Sequence, residues 1–280
     1  MVSNPKAWVL ALVDGFCQGP ENSLRNGSGE RAWDSPLVGF SRGDDPLFLA
    51  YKQHVGPFHW TPDEVFALAF PESVIDPGEL TVICWILPQT EGTKADNRGQ
   101  SYYPAERWAR SRIFGEAFNA GLRQHLVERL GDAGYPAVAP LLAAEWKWQD
   151  SERYGYASTW SERHAAFASG LGTFGLCDGL ITPVGKAVRV GSVVAQIPIP
   201  PTPRAYTHHR AYCSYFVDGS CGECIDRCPV GAITEKGHDK VKCRAHVSGT
   251  SAYVEEAYGF QGYGCGLCQT GVPCESGLPL

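Results

Sequence analysis

The chain has 280 residues, enough to bury a full core and to hold one large domain beside a small one. Its 24 basic and 30 acidic residues leave a net charge of −6, which argues against a surface built to wrap nucleic acid. No apolar run reaches the roughly 18–20 residues of a membrane span.

The first residues, "MVSNPKAWVLALVDGFCQGP", contain one early lysine and a short apolar run, with no twin-arginine pair and no cleavage site. A cytoplasmic chain with reduced thiols is expected. Residues 81–87, "TVICWIL", are apolar throughout and predict a buried strand. Residues 105–130 place Phe114, Phe118, Leu122, Leu126 and Leu130 four apart, the stripe of an amphipathic helix that Gly131 can stop. Strands mixed with long helices predict a layered α/β or α+β domain.

In "STWSERHAAFASGLGTFGLCDGLITPVGKAVRVGSV", residues 158–193, Thr159 and Glu162 fit a capping box opening a helix that ends by Gly170. Gly170, Gly172, Gly175 and Gly179 then follow within ten residues. Such a loop can let a ligand approach the backbone, and packing explains it equally well. It is not a GxGxxG after a strand, and the chain has no P-loop. Residues 187–195 alternate in part like a strand, and the proline-rich "IPIPPTPRAY", 197–206, marks a boundary between domains 1–205 and 206–280.

Eight of the 11 cysteines crowd into the last 68 residues. "CGECIDRCPVGAI" has the C-x2-C-x3-C-P spacing of cluster-binding ferredoxins, in which the cysteine before proline ligates the other cluster of a pair. Cys265 and Cys268 form a second C-x2-C, and Cys274 follows. Eight thiols suit two [4Fe–4S] clusters: one on Cys213, Cys221, Cys224 and Cys274, the other on Cys228, Cys243, Cys265 and Cys268. The alternative for the same spacing is a pair of zinc sites. His238 and His246 are read as packed or solvated rather than as ligands. Cys17, Cys84 and Cys177 stand apart in sequence and are expected not to be ligands, Cys177 being the one that could touch a cofactor.

Glu162, Arg163, Gly170, Leu171, Gly172, Gly175, Leu180, Ile181, Thr182, Pro183 and Gly185, followed by the paired cysteine motifs, resemble the epoxyqueuosine reductase and reductive dehalogenase superfamily. The match covers roughly 158–195 and 213–274. The resemblance implies a nitroreductase-like α/β domain that binds cobalamin, followed by a ferredoxin-like domain with two [4Fe–4S] clusters. It implies corrinoid contacts at Ser158, Gly170, Leu171, Gly172, Phe174, Gly175, Asp178, Ile181, Thr182, Pro183 and Gly185. The corrinoid would be held base-off, and its D-x-H-x-x-G signature is absent here.

The chain departs from the family at two places. Seven residues before Arg163, where epoxyqueuosine reductases have an acidic proton donor, stands Tyr156. Tyr156 and Arg163 are therefore the candidate catalytic residues, with Arg153 as a second tuning cation and a buried aromatic as the plain alternative for Tyr156. The sequence also ends six residues after Cys274, without the C-terminal extension that helps those enzymes hold tRNA. The expectation is a cobalamin-dependent reductase of a small molecule, fed by an external ferredoxin or flavodoxin. Its rivals are a tRNA-acting epoxyqueuosine reductase, which charge and length disfavour, and an electron carrier binding corrinoid or flavin.

Overall fold

The computed structural model describes residues 2–279. The N-terminal part runs α1 (Pro5–Cys17), β1 (Leu37–Arg42), α2 (Pro46–His54), α3 (Pro62–Ala69), β2 (Thr81–Pro88), α4 (Glu91–Arg98), α5 (Glu106–Arg110), α6 (Glu116–Asp132) and β3 (Ala137–Val138). Then come the hairpin β4 (Trp148–Ser151) and β5 (Gly155–Ser158), α7 (Glu162–Ala168), a pair β6 (Thr173–Phe174) and β7 (Leu180–Ile181), and β8 (Val188–Ala195). The C-terminal part holds α8 (Ser214–Val217), α9 (Glu223–Asp226), the pair β9 (Ile233–Thr234) and β10 (Gly237–His238), α10 (Lys240–Gly249) and α11 (Ser251–Tyr258).

A four-stranded antiparallel sheet of order β1-β2-β8-β3 forms the centre of this mixed α/β chain. All eight residues of β2 are buried because helices cover both faces of the sheet. Ile83, Trp85 and Leu87 face the core built with α1 and α6, whereas Val82, Cys84 and Ile86 face the core built with α2, α3 and α7. The continuous apolar run at 81–87 reads correctly as a strand for this reason. The Trp85 indole donates to Asn119 Oδ1 at 2.8 Å and packs against Gly191, where a Cβ would stand 2.4 Å from the ring.

The helix expected over 105–130 is present but interrupted. Ser111–Gly115 forms a π-turn between α5 and α6. Gly115 carries the cause: its carbonyl accepts from the Trp33 indole at 3.0 Å, and a Cβ there would meet the same ring at 2.6 Å. The capping box expected at Thr159 does not form. Ser161 is the N-cap of α7, and the Glu162 carboxylate turns inward to Arg123 and Ser192.

The C-terminal cysteine loops pack directly on the N-terminal part. Arg227, inside "CIDRCP", donates to the carbonyls of Asn97 at 3.1 Å, Gln100 at 3.0 Å, Leu267 at 3.2 Å and Thr270 at 3.0 Å. Arg98 pairs with the buried Glu275 at 2.8 Å. No helix among the described residues is long and apolar enough to cross a membrane.

Candidate functional site

The fold sorts the C-terminal thiols into two neighbouring groups. Cys213, Cys221, Cys224 and Cys274 line one cavity, together with Gly175, Leu176, Ile181, Lys186 and Val272. In the other group Cys265 lies within charge range of Cys228 and Cys243, and Cys268 within range of Cys265. The first cavity carries the four cysteines expected to hold one cluster, and Cys228, Cys243, Cys265 and Cys268 were expected to hold the other. No three His, Cys, Asp or Glu side chains among the described residues converge closely enough to hold a single metal ion.

Local chain geometry explains the loops. The amide of Ala232 donates to Cys228 Sγ at 3.1 Å, after a turn whose Gly231 has φ +59°. Gly266, between Cys265 and Cys268, has φ +68°, and a Cβ there would stand 1.9 Å from the Trp108 indole. No side chain fits at that position. Burial pushes the Cys265 thiol up to about 11, with Cys243 and Cys228 adding to the rise.

Two residues join the groups, and spacing in the sequence did not reveal either. Cys177 is buried with its sulfur in contact with Cys224 of the first set and Cys268 of the second. Thiol hydrogen bonds from Cys224 and Cys268 hold Cys177 below the ordinary thiol range, and Lys186 assists. Cys177 is therefore not isolated, as its sequence position suggested. Lys186 is also buried, and burial opposes its charge. The sulfurs of Cys177, Cys274, Cys268 and Cys224 more than offset that cost and hold its ammonium above the ordinary lysine range. Cys17 and Cys84, by contrast, sit in the two sheet cores, and burial pushes Cys17 up to about 12.

The glycine-rich segment walls the first cavity. Gly175 and Ile181 face the thiols. Elsewhere the segment packs on protein. A Cβ at Gly172 would stand 2.3 Å from the Ile181 carbonyl oxygen, and one at Gly185 2.0 Å from that of Glu275. Gly170 lies against Thr202 and Pro203. Leu171 is core, the Ser158 hydroxyl donates to the Trp160 carbonyl at 2.7 Å, and that of Thr182 to the Gly185 carbonyl at 2.7 Å. The amide of Phe174 donates to the His209 carbonyl at 2.7 Å, and Pro183 is exposed.

The candidate catalytic residues sit beside the second set. The Tyr156 hydroxyl, on β5, donates to the Lys240 carbonyl at 3.3 Å. The Arg244 guanidinium lies 5.1 Å from its ring centroid, and the Trp148 ring 5.4 Å away. Burial raises the Tyr156 hydroxyl above its ordinary value, Arg244 and Arg163 work against that rise, and Cys243 adds to it. Arg163 donates to the carbonyl of Asp178, a residue in the left-handed region at φ +58° whose carboxylate meets His238 Nδ1 at 3.3 Å. Arg153 is engaged elsewhere, at His54 Nδ1, 2.9 Å away. Arg244 takes the place over Tyr156 that the sequence offered to Arg153. Tyr156, Val241, Arg244, Ala245 and Ser248 border an open groove.

No family model matches the chain. Over 124 residues, 42% of this chain, it is 34% identical to an epoxyqueuosine reductase of Bacillus anthracis, of which the alignment covers 30%. An uncharacterized protein of Geobacillus stearothermophilus is 33% identical over 98 residues, 33% of this chain and 41% of that protein. The chain thus spans well under half the length of these curated relatives. Among solved structures, an epoxyqueuosine reductase with an epoxyqueuosine-modified tRNA-Tyr stem loop superposes with a TM-score of 0.54 at 17% identity, covering 96% of this chain and 65% of that one. A catabolic reductive dehalogenase does so with a TM-score of 0.51 at 15% identity, covering 97% of this chain and 36% of that one. At such identities the structural likeness is one of fold. The sequence bears out the resemblance to epoxyqueuosine reductases, and the likeness to the reductive dehalogenase is one of fold.

Proposed function

We propose that the chain is an iron–sulfur oxidoreductase of the epoxyqueuosine reductase type. One [4Fe–4S] cluster would be held by Cys213, Cys221, Cys224 and Cys274, and a second by Cys228, Cys243, Cys265 and Cys268. The observation that carries this reading is the gathering of four thiols around one cavity, with the other four grouped beside it. The donor set suits the group: sulfur ligands, an apolar wall of Leu176, Ile181 and Val272, and an amide donating to Cys228 Sγ. When bound, the clusters would supply one-electron transfer from an external ferredoxin- or flavodoxin-type donor. Such a chain belongs in the cytoplasm, where thiols stay reduced.

The substrate is placed on tRNA, in preference to the free small molecule that charge and length favoured. Sequence similarity to an epoxyqueuosine reductase supports this choice. Tyr156 is proposed as the proton donor. Burial keeps its hydroxyl protonated at neutral pH, and the Arg244 cation over the ring would stabilise the phenolate left behind.

Five of the residues assigned to a corrinoid are committed to protein packing or to the thiol cavity. Gly172 and Gly185 lie against carbonyls, Leu171 is core, and Gly175 and Ile181 face the thiol cavity. This packing favours a second reading, an electron carrier with no corrinoid. Anaerobically reconstituted chain, given a reductant and tRNA bearing epoxyqueuosine, should convert it to queuosine. Iron-loaded chain that leaves the tRNA unchanged, with and without added cobalamin, would favour the carrier.

A further inference from the structure

We infer that Lys186 is the counter-charge of the first thiol group and raises the reduction potential of the centre it holds. The inference rests on the two-cluster reading. Lys186 is 3% exposed and lines the first cavity. The same cavity is lined by Cys213, Cys221, Cys224 and Cys274, and no carboxylate among the described residues lines it. A buried lysine ordinarily meets a carboxylate, and here it meets thiols.

Its position is fixed from both ends. The backbone N–H donates to the Cys274 carbonyl at 2.7 Å and to that of Glu275 at 3.1 Å. The stem lies on Gly179, where a Cβ would stand 2.9 Å from Lys186 Cδ and 3.2 Å from Cys177 Sγ. The stem and the Cys177 thiol therefore share the space that this glycine leaves open.

Each one-electron reduction adds one negative charge to a centre. A fixed cation nearby stabilises the reduced form more than the oxidised form. Burial shields that interaction from salt. Because Lys186 lines the cavity of the first set, it acts on that couple and eases the entry of electrons from the external donor.

The test compares K186M, which keeps the length of the stem and removes the charge, with K186R, which keeps the charge. Wild type and both variants are loaded anaerobically with iron and sulfide and titrated by redox-monitored electron paramagnetic resonance. In K186M the midpoint of at least one centre should fall by about 59 mV, a tenfold change in the one-electron equilibrium. K186R should stay near wild type. Loaded K186M with the wild-type midpoints overturns the inference. If K186M takes up no iron, K186Q and K186R decide. Loading by K186R alone supports a need for charge, and loading by K186Q at wild-type potential, or failure of K186R, overturns it. Wild-type chain that binds no iron would instead defeat the two-cluster reading itself.

Discussion

The amide of Lys186 donates to the carbonyl of Cys274 at 2.7 Å, joining the end of the glycine-rich segment to the last cysteine of the chain. One hydrogen bond thus places a buried cation and a first-set thiol on the same wall. The two sets can be told apart by pairwise substitution. Cys221→Ser with Cys274→Ser should lose about half the iron, one of two cubanes, the same as either change alone. Cys221→Ser with Cys265→Ser should lose nearly all of it. Equal losses in the two double variants would show that the sets are drawn wrongly.

Cys177→Ser should leave the iron content near wild type, because eight other thiols fill both sets. Its contacts with Cys224 and Cys268 make it the sharpest check on ligand membership. Loss of about half the iron would make Cys177 a ligand in place of one of the eight.

Much of this arrangement was legible in the sequence, and the failures share one cause. "TVICWIL" could be read because every residue of β2 is buried, so its whole composition carries the signal. That Cys213, Cys221, Cys224 and Cys274 meet at one cavity could be read because the spacing of the ferredoxin motif, with its crossed last ligand, carries that signal even over a distance. Cys177 could not, because its neighbours Cys224 and Cys268 lie far along the chain. The π-turn at Ser111–Gly115 depends on Trp33, and the inward turn of Glu162 depends on Arg123 and Ser192. Local propensity cannot report contacts of that separation. The glycines of 170–185 show the converse: their density allowed a ligand or packing equally, and most of them lie against protein.

Arg123 is 1% exposed and holds Glu162 at 3.0 Å and Glu116 at 3.2 Å. Burial already raises the Glu162 carboxyl above its ordinary value. Arg123→Met would leave that carboxylate buried without its cation and should cost about 3–5 kcal/mol in urea denaturation. Adding Glu162→Gln should recover part of the loss. A single variant as stable as wild type would show that the pair is not needed.

Stability should fall in mild acid. His59 is 1% exposed, its Nδ1 donates to the Trp60 carbonyl at 3.0 Å, and burial holds its imidazole down at about 4. In the unfolded chain it would titrate near 6.5. Between pH 6.5 and 4 the unfolded state therefore binds more protons, and stability drops as pH falls through that window, by up to about 3 kcal/mol. Burial moves His164 in the same direction. Denaturation midpoints at pH 7 and 4.5 should converge in His59→Gln relative to wild type. An unchanged difference would remove His59 from the account.

Tyr156→Phe keeps the ring under Arg244 and removes the hydroxyl proton. Iron content should not change, and turnover on tRNA should fall by roughly 10²–10⁴. Full turnover would leave Tyr156 as a packing residue of the β4–β5 hairpin.

Whether the two thiol groups hold two cubanes is decided by metal analysis of the anaerobically prepared chain. About eight iron and a matching amount of acid-labile sulfide per chain are predicted, four per cubane. Stoichiometric zinc with no iron would contradict the two-cubane reading.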